Sequence, residues 1–130
     1  MRSKAMRIQT RYSILTFVIL LIAGCSEKLY TQRVFNESGV EIDDVVIHYG
    51  KLQSSFGVLP IDVHKSKGHM RTPPPKFAKV TWSDFNKKSY SVLVDMSVVP
   101  EDYNGGVITF VIKQDFSVSV GYFVDTPISF

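Results

Sequence analysis

The chain has 130 residues, 15 Lys or Arg against 12 Asp or Glu, and a single cysteine. That length admits one domain, and one cysteine excludes an intrachain disulfide framework. A formal charge of +3 and a pI near 9.0 would invite a nucleic-acid partner, but the basic excess is confined to the N-terminus.

In chain order, Arg2, Lys4, Arg7 and Arg11 precede an apolar run, with no acidic residue among them. The run occupies residues 13–22. That is the length of a signal-peptide core and short of the ~20 residues that cross a bilayer. The small pair Ala23-Gly24 follows, then Cys25. Ile22-Ala23-Gly24-Cys25 resembles the lipobox of bacterial lipoproteins: aliphatic, small, small, cysteine. The resemblance covers the first 25 residues. It implies that residues 1–24 are a cleaved signal peptide. It further implies that Cys25 is diacylated through its sulfur, becomes the mature N-terminus and is then N-acylated. One acyl chain binds a membrane marginally; several anchor it, at ~0.8 kcal/mol per buried methylene. Ser26 in the next position implies, on the same resemblance, sorting to the outer membrane, facing the periplasm. The other reading of the run is a transmembrane anchor with an incidental cysteine; its shortness and its small residues argue against that. Met6 also opens a complete signal by itself and is a second candidate start.

Four of the 15 bases precede Cys25 and none of the 12 acids do, which leaves 11 bases against 12 acids in the mature chain. The basic footprint of a nucleic-acid binder disappears with the signal. Residues 25–28 are read as lipidated terminus and tether, and residues 29–130 as one domain that folds on its own core.

That domain has period two almost throughout. A first strand is expected over residues 29–35. Val45, Ile47 and Tyr49 then alternate with Val46 and His48. A short strand is expected near residues 56–59. Residues 64–76 contain three consecutive prolines and are expected to be loop. Ala78, Val80 and Trp82 oppose Lys79 and Thr81; Tyr90, Val92, Val94 and Met96 oppose Ser91, Leu93 and Asp95. Residues 107–112 are apolar on both faces and read as a central strand. Phe116, Val118, Val120 and Tyr122 oppose Ser117, Ser119 and Gly121. Turn residues at 36–39, 83–88, 100–106 and 113–115 punctuate these segments. The pattern predicts an all-β fold, a small antiparallel β-sandwich of about seven strands. Pro127 weakens a central-strand reading of the C-terminal residues.

Catalytic signatures are missing. His48, His64 and His69 carry no acidic or thiolate partners at metal-ligand spacing, so neither metal nor cofactor is expected. No serine sits in a nucleophile elbow, and no glycine-rich phosphate loop occurs. Asp43-Asp44, as strand neighbours, are expected to point to opposite faces and not to share a proton. Asn36-Glu37-Ser38 matches a glycosylation triplet, to which a bacterial lipoprotein gives no meaning. Trp82 reads as a core anchor, with an interface role as the other possibility.

Charge is segregated. Lys65, Lys67, Arg71, Lys76, Lys79, Lys87 and Lys88 fall in one stretch with Asp84 as its only acid. Glu37, Glu41, Asp43 and Asp44 gather at the first turn, and Asp95, Glu101 and Asp102 at a later one. Such charge is ordinary for solvated loops and also serves to steer a partner. With no catalytic set, the expected function is binding, not enzymatic. The opening "NESGVEIDDVVIHYG" and the hairpin "VTWSDFNKKSYSVLV" resemble small periplasmic immunity lipoproteins of type VI secretion effectors, including phospholipase effectors. The resemblance implies a lipid-anchored inhibitor of a toxic effector enzyme. The alternative is a non-enzymatic envelope or secretion-system accessory lipoprotein. Expected partner-binding residues are Glu37, Glu41, Asp43, Asp44, Phe85, Glu101, Asp102 and Tyr103, with Phe85 and Tyr103 exposed at turn tips at one end of the sandwich.

Overall fold

The structure is a computed structural model and describes residues 28–124. The expected signal peptide (residues 1–24), Cys25 with residues 26 and 27, and the C-terminal residues 125–130 lie outside the described residues. The described chain is all-β, with eight strands: β1 (Tyr30–Asn36), β2 (Ile42–Tyr49), β3 (Leu52–Leu59), β4 (His64–Met70), β5 (Phe77–Ser83), β6 (Ser89–Asp95), β7 (Val107–Ile112) and β8 (Val118–Phe123). One sheet has the order β4-β1-β7-β8 and the other β3-β2-β5-β6. They pack face to face as a sandwich.

The alternation read from sequence fixes which side of each strand is buried. Val45, Ile47 and Tyr49 of β2, Ala78, Val80 and Trp82 of β5, and Ile108, Phe110 and Ile112 of β7 all point into the core. Full burial of such a side chain stabilises by ~1.5–3 kcal/mol. Trp82 is a core residue, stacked on Tyr90 at 5.6 Å, and Phe116 lies 4.6 Å from Tyr90 and bridges toward the other sheet. Phe116 itself belongs to the hairpin turn, at φ 59°, and not to β8. β7 is central as expected, between β1 and β8.

Three expectations are corrected. First, the segment expected to be loop, residues 64–76, contains β4, which takes the expected seven or so strands to eight. β4 has no sequence period because neither of its faces is covered. It pairs antiparallel with β1 alone, with Lys65 opposite Val34 and Lys67 opposite Gln32, so both lysines are on the inward face. There Lys65 Nζ donates to the carbonyls of Phe56 (3.2 Å) and Val58 (2.5 Å), and Lys67 Nζ lies 5.2 Å from the Phe56 ring centre. Inward lysines of this kind satisfy the free edge of β3 and discourage strand addition at both edges. Only residues 71–76, which contain Pro73 to Pro75, remain as loop.

Second, the sandwich is not purely antiparallel: β1 and β7 pair in parallel, Thr31 with Val107 through Asn36 with Ile112. Every connection reverses the chain, so all odd-numbered strands run one way. When two of them become neighbours, parallel pairing is the only option. Third, Asp43 and Asp44 do not point to opposite faces. A bulge between Ile42 and Val45, with Asp44 at φ 51°, leaves both exposed, and the Asp44 amide donates to Asp43 Oδ1 at 2.6 Å.

Candidate partner interface

Because every connection reverses direction, the turns divide between two ends. Residues 37–41, 60–63, 84–88 and 113–117 share one end. Residues 28–29, 50–51, 71–76, 96–106 and 124 share the other, the N-terminal end.

The first end is strongly acidic. Glu37, Glu41, Asp43, Asp44, Asp62, Asp84 and Asp115 lie there, against Lys65, Lys87, Lys88 and Lys113. Its geometry is set by Asn36, which is 0% exposed. The Asn36 side-chain amide donates to the carbonyls of Val40 (2.7 Å), Leu59 (2.9 Å) and Pro60 (3.2 Å), and its Oδ1 accepts from Ser38 Oγ (2.6 Å) and the Ser38 amide (3.0 Å). One buried side chain thus ties the 37–41 turn to the 60–63 turn. The triplet that contains it is therefore a structural clamp, with Asn36 closed to any modifying group. Phe85 stands 82% exposed at the tip of the 84–88 hairpin, and Ile61 and Val40 are also exposed at this end. Hydrogen bonds from the Ser117 side chain and then its backbone hold the Asp115 carboxyl below the ordinary aspartate pKa. Asp115 borders a shallow polar hollow of about 570 Å³ with Glu37, Asp62, Lys113 and Gln114.

At the N-terminal end lie Asp95, Glu101 and Asp102, with Lys28, Lys51, Arg71 and Lys76. Tyr103, expected at an exposed tip, is only 9% exposed. Its ring meets Tyr30 edge-on at 5.7 Å, and Lys28 Nζ lies 5.6 Å from its centre. Burial pushes the Tyr103 hydroxyl up in pKa. The Tyr30 hydroxyl donates to the Thr72 carbonyl at 2.6 Å. Tyr103 also lines an apolar cleft of about 590 Å³ with Pro73, Pro74, Pro75, Phe77, Met96 and Val99. The reading from sequence missed this cleft. Its walls come from loops far apart in the chain, each legible only as a proline-bearing turn.

The eight expected partner-binding residues therefore do not form one surface. Glu37, Glu41, Asp43, Asp44 and Phe85 share the acidic end; Glu101, Asp102 and the buried Tyr103 lie at the opposite one.

The histidines are similarly divided. His48 belongs to the β3-β2-β5-β6 sheet, its Nε2 3.0 Å from Thr81 Oγ1, with pKa lowered by burial and then by Lys79. His64 and His69 belong to the exposed strand β4 of the other sheet. Among the described residues, no three His, Cys, Asp or Glu side chains come together in a way that could hold a metal ion.

No protein-family model matches the chain, and no curated protein matches its sequence. A solved structure with a similar course is the NMR structure of a protein from Eubacterium rectale, 8% identical, with a TM-score of 0.49, covering 78% of this chain and 94% of that one.

Proposed function

We propose that the protein is an outer-membrane-anchored periplasmic lipoprotein that binds and neutralises a toxic effector enzyme, without catalytic activity of its own. The observation that carries this reading is the acidic end: seven carboxylates around exposed Phe85, Ile61 and Val40, held rigid by Asn36. Exposed aromatic and aliphatic side chains within a charged rim are the makings of a protein interface. A dense acidic field also accelerates encounter with a basic partner, in a salt-dependent way. An enzyme that attacks an anionic lipid or wall polymer gains substrate attraction from a basic mouth, which this end would complement. A phospholipase is one such enzyme. The binding residues on this reading are Glu37, Glu41, Asp43, Asp44 and Phe85; Glu101 and Asp102 face elsewhere.

Two measurements test the proposal. One is binding to the product of the neighbouring gene; the other is competition of a deletion strain against cells that deliver the cognate toxin. A nanomolar complex that weakens on reversal of Asp43 and Asp44, together with a deletion strain that is killed, is the expected result. No complex and no competitive defect would transfer the protein to the accessory-lipoprotein class.

A further inference from the structure

We propose that the N-terminal end of the sandwich is a membrane seat, resting directly on the bilayer surface instead of hanging from its anchor. The inference rests on the lipoprotein part of the proposed function. Lys28 is packed against Tyr103 at this end. Cys25 precedes it by three residues, an extended reach of about 10 Å. Acyl chains on Cys25 therefore hold this end, and no other, against the headgroups.

The surface brought there suits lipid. Leu52, Phe77, Val98 and Phe123 come from four separate segments, all at this end, and each is about half exposed or more. A single exposed aliphatic residue means nothing, but several converging on one end, around an apolar cleft, mark a contact surface. The occupant follows from the tether. A gap of about 10 Å is no wider than one helix with its side chains, ~10–12 Å, so a folded partner does not fit between this end and the membrane. Charge agrees. Four bases against three acids make this end close to neutral, whereas the other end has seven acids against four bases. An anionic leaflet repels the acidic end and tolerates this one. A seven-residue strand spans about 23 Å. The acidic end then stands well beyond a Debye length of ~8 Å, with its field directed at arriving solutes.

The test uses the full chain in vesicles of phosphatidylethanolamine and phosphatidylglycerol containing phospholipid with a doxyl quencher high on the acyl chain. Single fluorescent labels are placed through Leu52→Cys, Val98→Cys and Phe85→Cys. At least threefold stronger quenching at the first two positions than at Phe85 is expected. A domain that is tethered but unseated leaves all three equally unquenched and overturns the proposal. So does quenching that follows protein density and not doxyl content, which would make this end a self-association surface. With the label moved to Phe123→Cys, the pair Leu52→Asp and Val98→Asp should lower quenching to the Phe85 level; unchanged quenching again overturns the seat. Intact mass of the same samples reports acylation of Cys25. An unacylated cysteine refutes the lipoprotein reading separately. The labels, repeated in a Cys25→Ser chain held at the same end by its uncleaved signal, still judge the seat.

Discussion

The two ends of the sandwich are stabilised by opposite means. At the acidic end a single buried amide, Asn36, holds two turns by hydrogen bonds to their backbone. At the N-terminal end Tyr103 closes the long 96–106 connection by apolar contact, its ring edge against Tyr30. A polar clamp fixes backbone position and leaves the turn side chains free to face solvent, which suits a display surface. An aromatic plug draws its own turn inward and leaves a cleft beside it. Charged and aromatic residues occur in the turns at both ends, yet Phe85 of the 84–88 turn faces solvent while Tyr103 of the 96–106 connection is buried.

Replacing Tyr103 breaks the comparison from the N-terminal side and has the largest expected effect. Tyr103→Ala should cost about 3 kcal/mol, in the range for large aromatic truncations, and lower Tm by roughly 15 °C in thermal unfolding. Partner affinity at the acidic end should survive in the folded fraction. Equal loss of binding would show that the ends are coupled.

Asn36→Ala breaks it from the other side. Removing one side chain that serves the carbonyls of Val40, Leu59 and Pro60 leaves buried polar groups unpaired, a loss of about 2 kcal/mol. Hydrogen exchange should rise in residues 37–41 and 60–63 and not in residues 96–106. Uniform loosening would disprove a local clamp.

Phe85→Ala sharpens the contrast without disturbing the fold. Phe85 is largely solvated, so urea unfolding should shift by under about 0.5 kcal/mol, while affinity for the partner should fall at least tenfold. Unchanged affinity would remove Phe85 from the interface.

The smallest effect is a pH dependence at Asp115. Its pKa is depressed in the folded state by Ser117. A depressed carboxyl favours the folded state above the unfolded aspartate pKa, and that contribution is lost as pH falls through the lower, folded value. Carboxyl-resonance titration should find Asp115 below a typical aspartate, and Ser117→Ala should return most of the shift. A titration unchanged by Ser117→Ala would assign the shift to another cause.

Much of the fold was legible because a half-buried strand writes its burial into every second residue. Trp82, Val80 and Ala78, or Ile108, Phe110 and Ile112, need no tertiary information to be assigned to the core. β4 was not legible: a strand with both faces exposed leaves no period, and only pairing with β1 defines it. The parallel register of β1 and β7 was hidden for the same reason, since strand neighbours distant in sequence leave no local mark. The bulge at Asp43 and Asp44 broke an alternation that local sequence could only assume to be regular.

The candidate site divides in the same way. Residue type and spacing alone determined which turns are acidic, that Phe85 and Tyr103 are turn aromatics, and that Cys25 stands where a lipobox places it. The tertiary structure decided that the Glu37–Asp44 turn and the Glu101–Tyr103 turn lie at opposite ends, and that Phe85 is exposed while Tyr103 is buried. Composition is a property of a segment, whereas an interface belongs to segments brought side by side. The parity of chain reversals sets which turns share an end. Whether a turn aromatic faces water depends on whether neighbouring segments, here Tyr30 of β1 and the prolines of the 71–76 loop, offer it a wall.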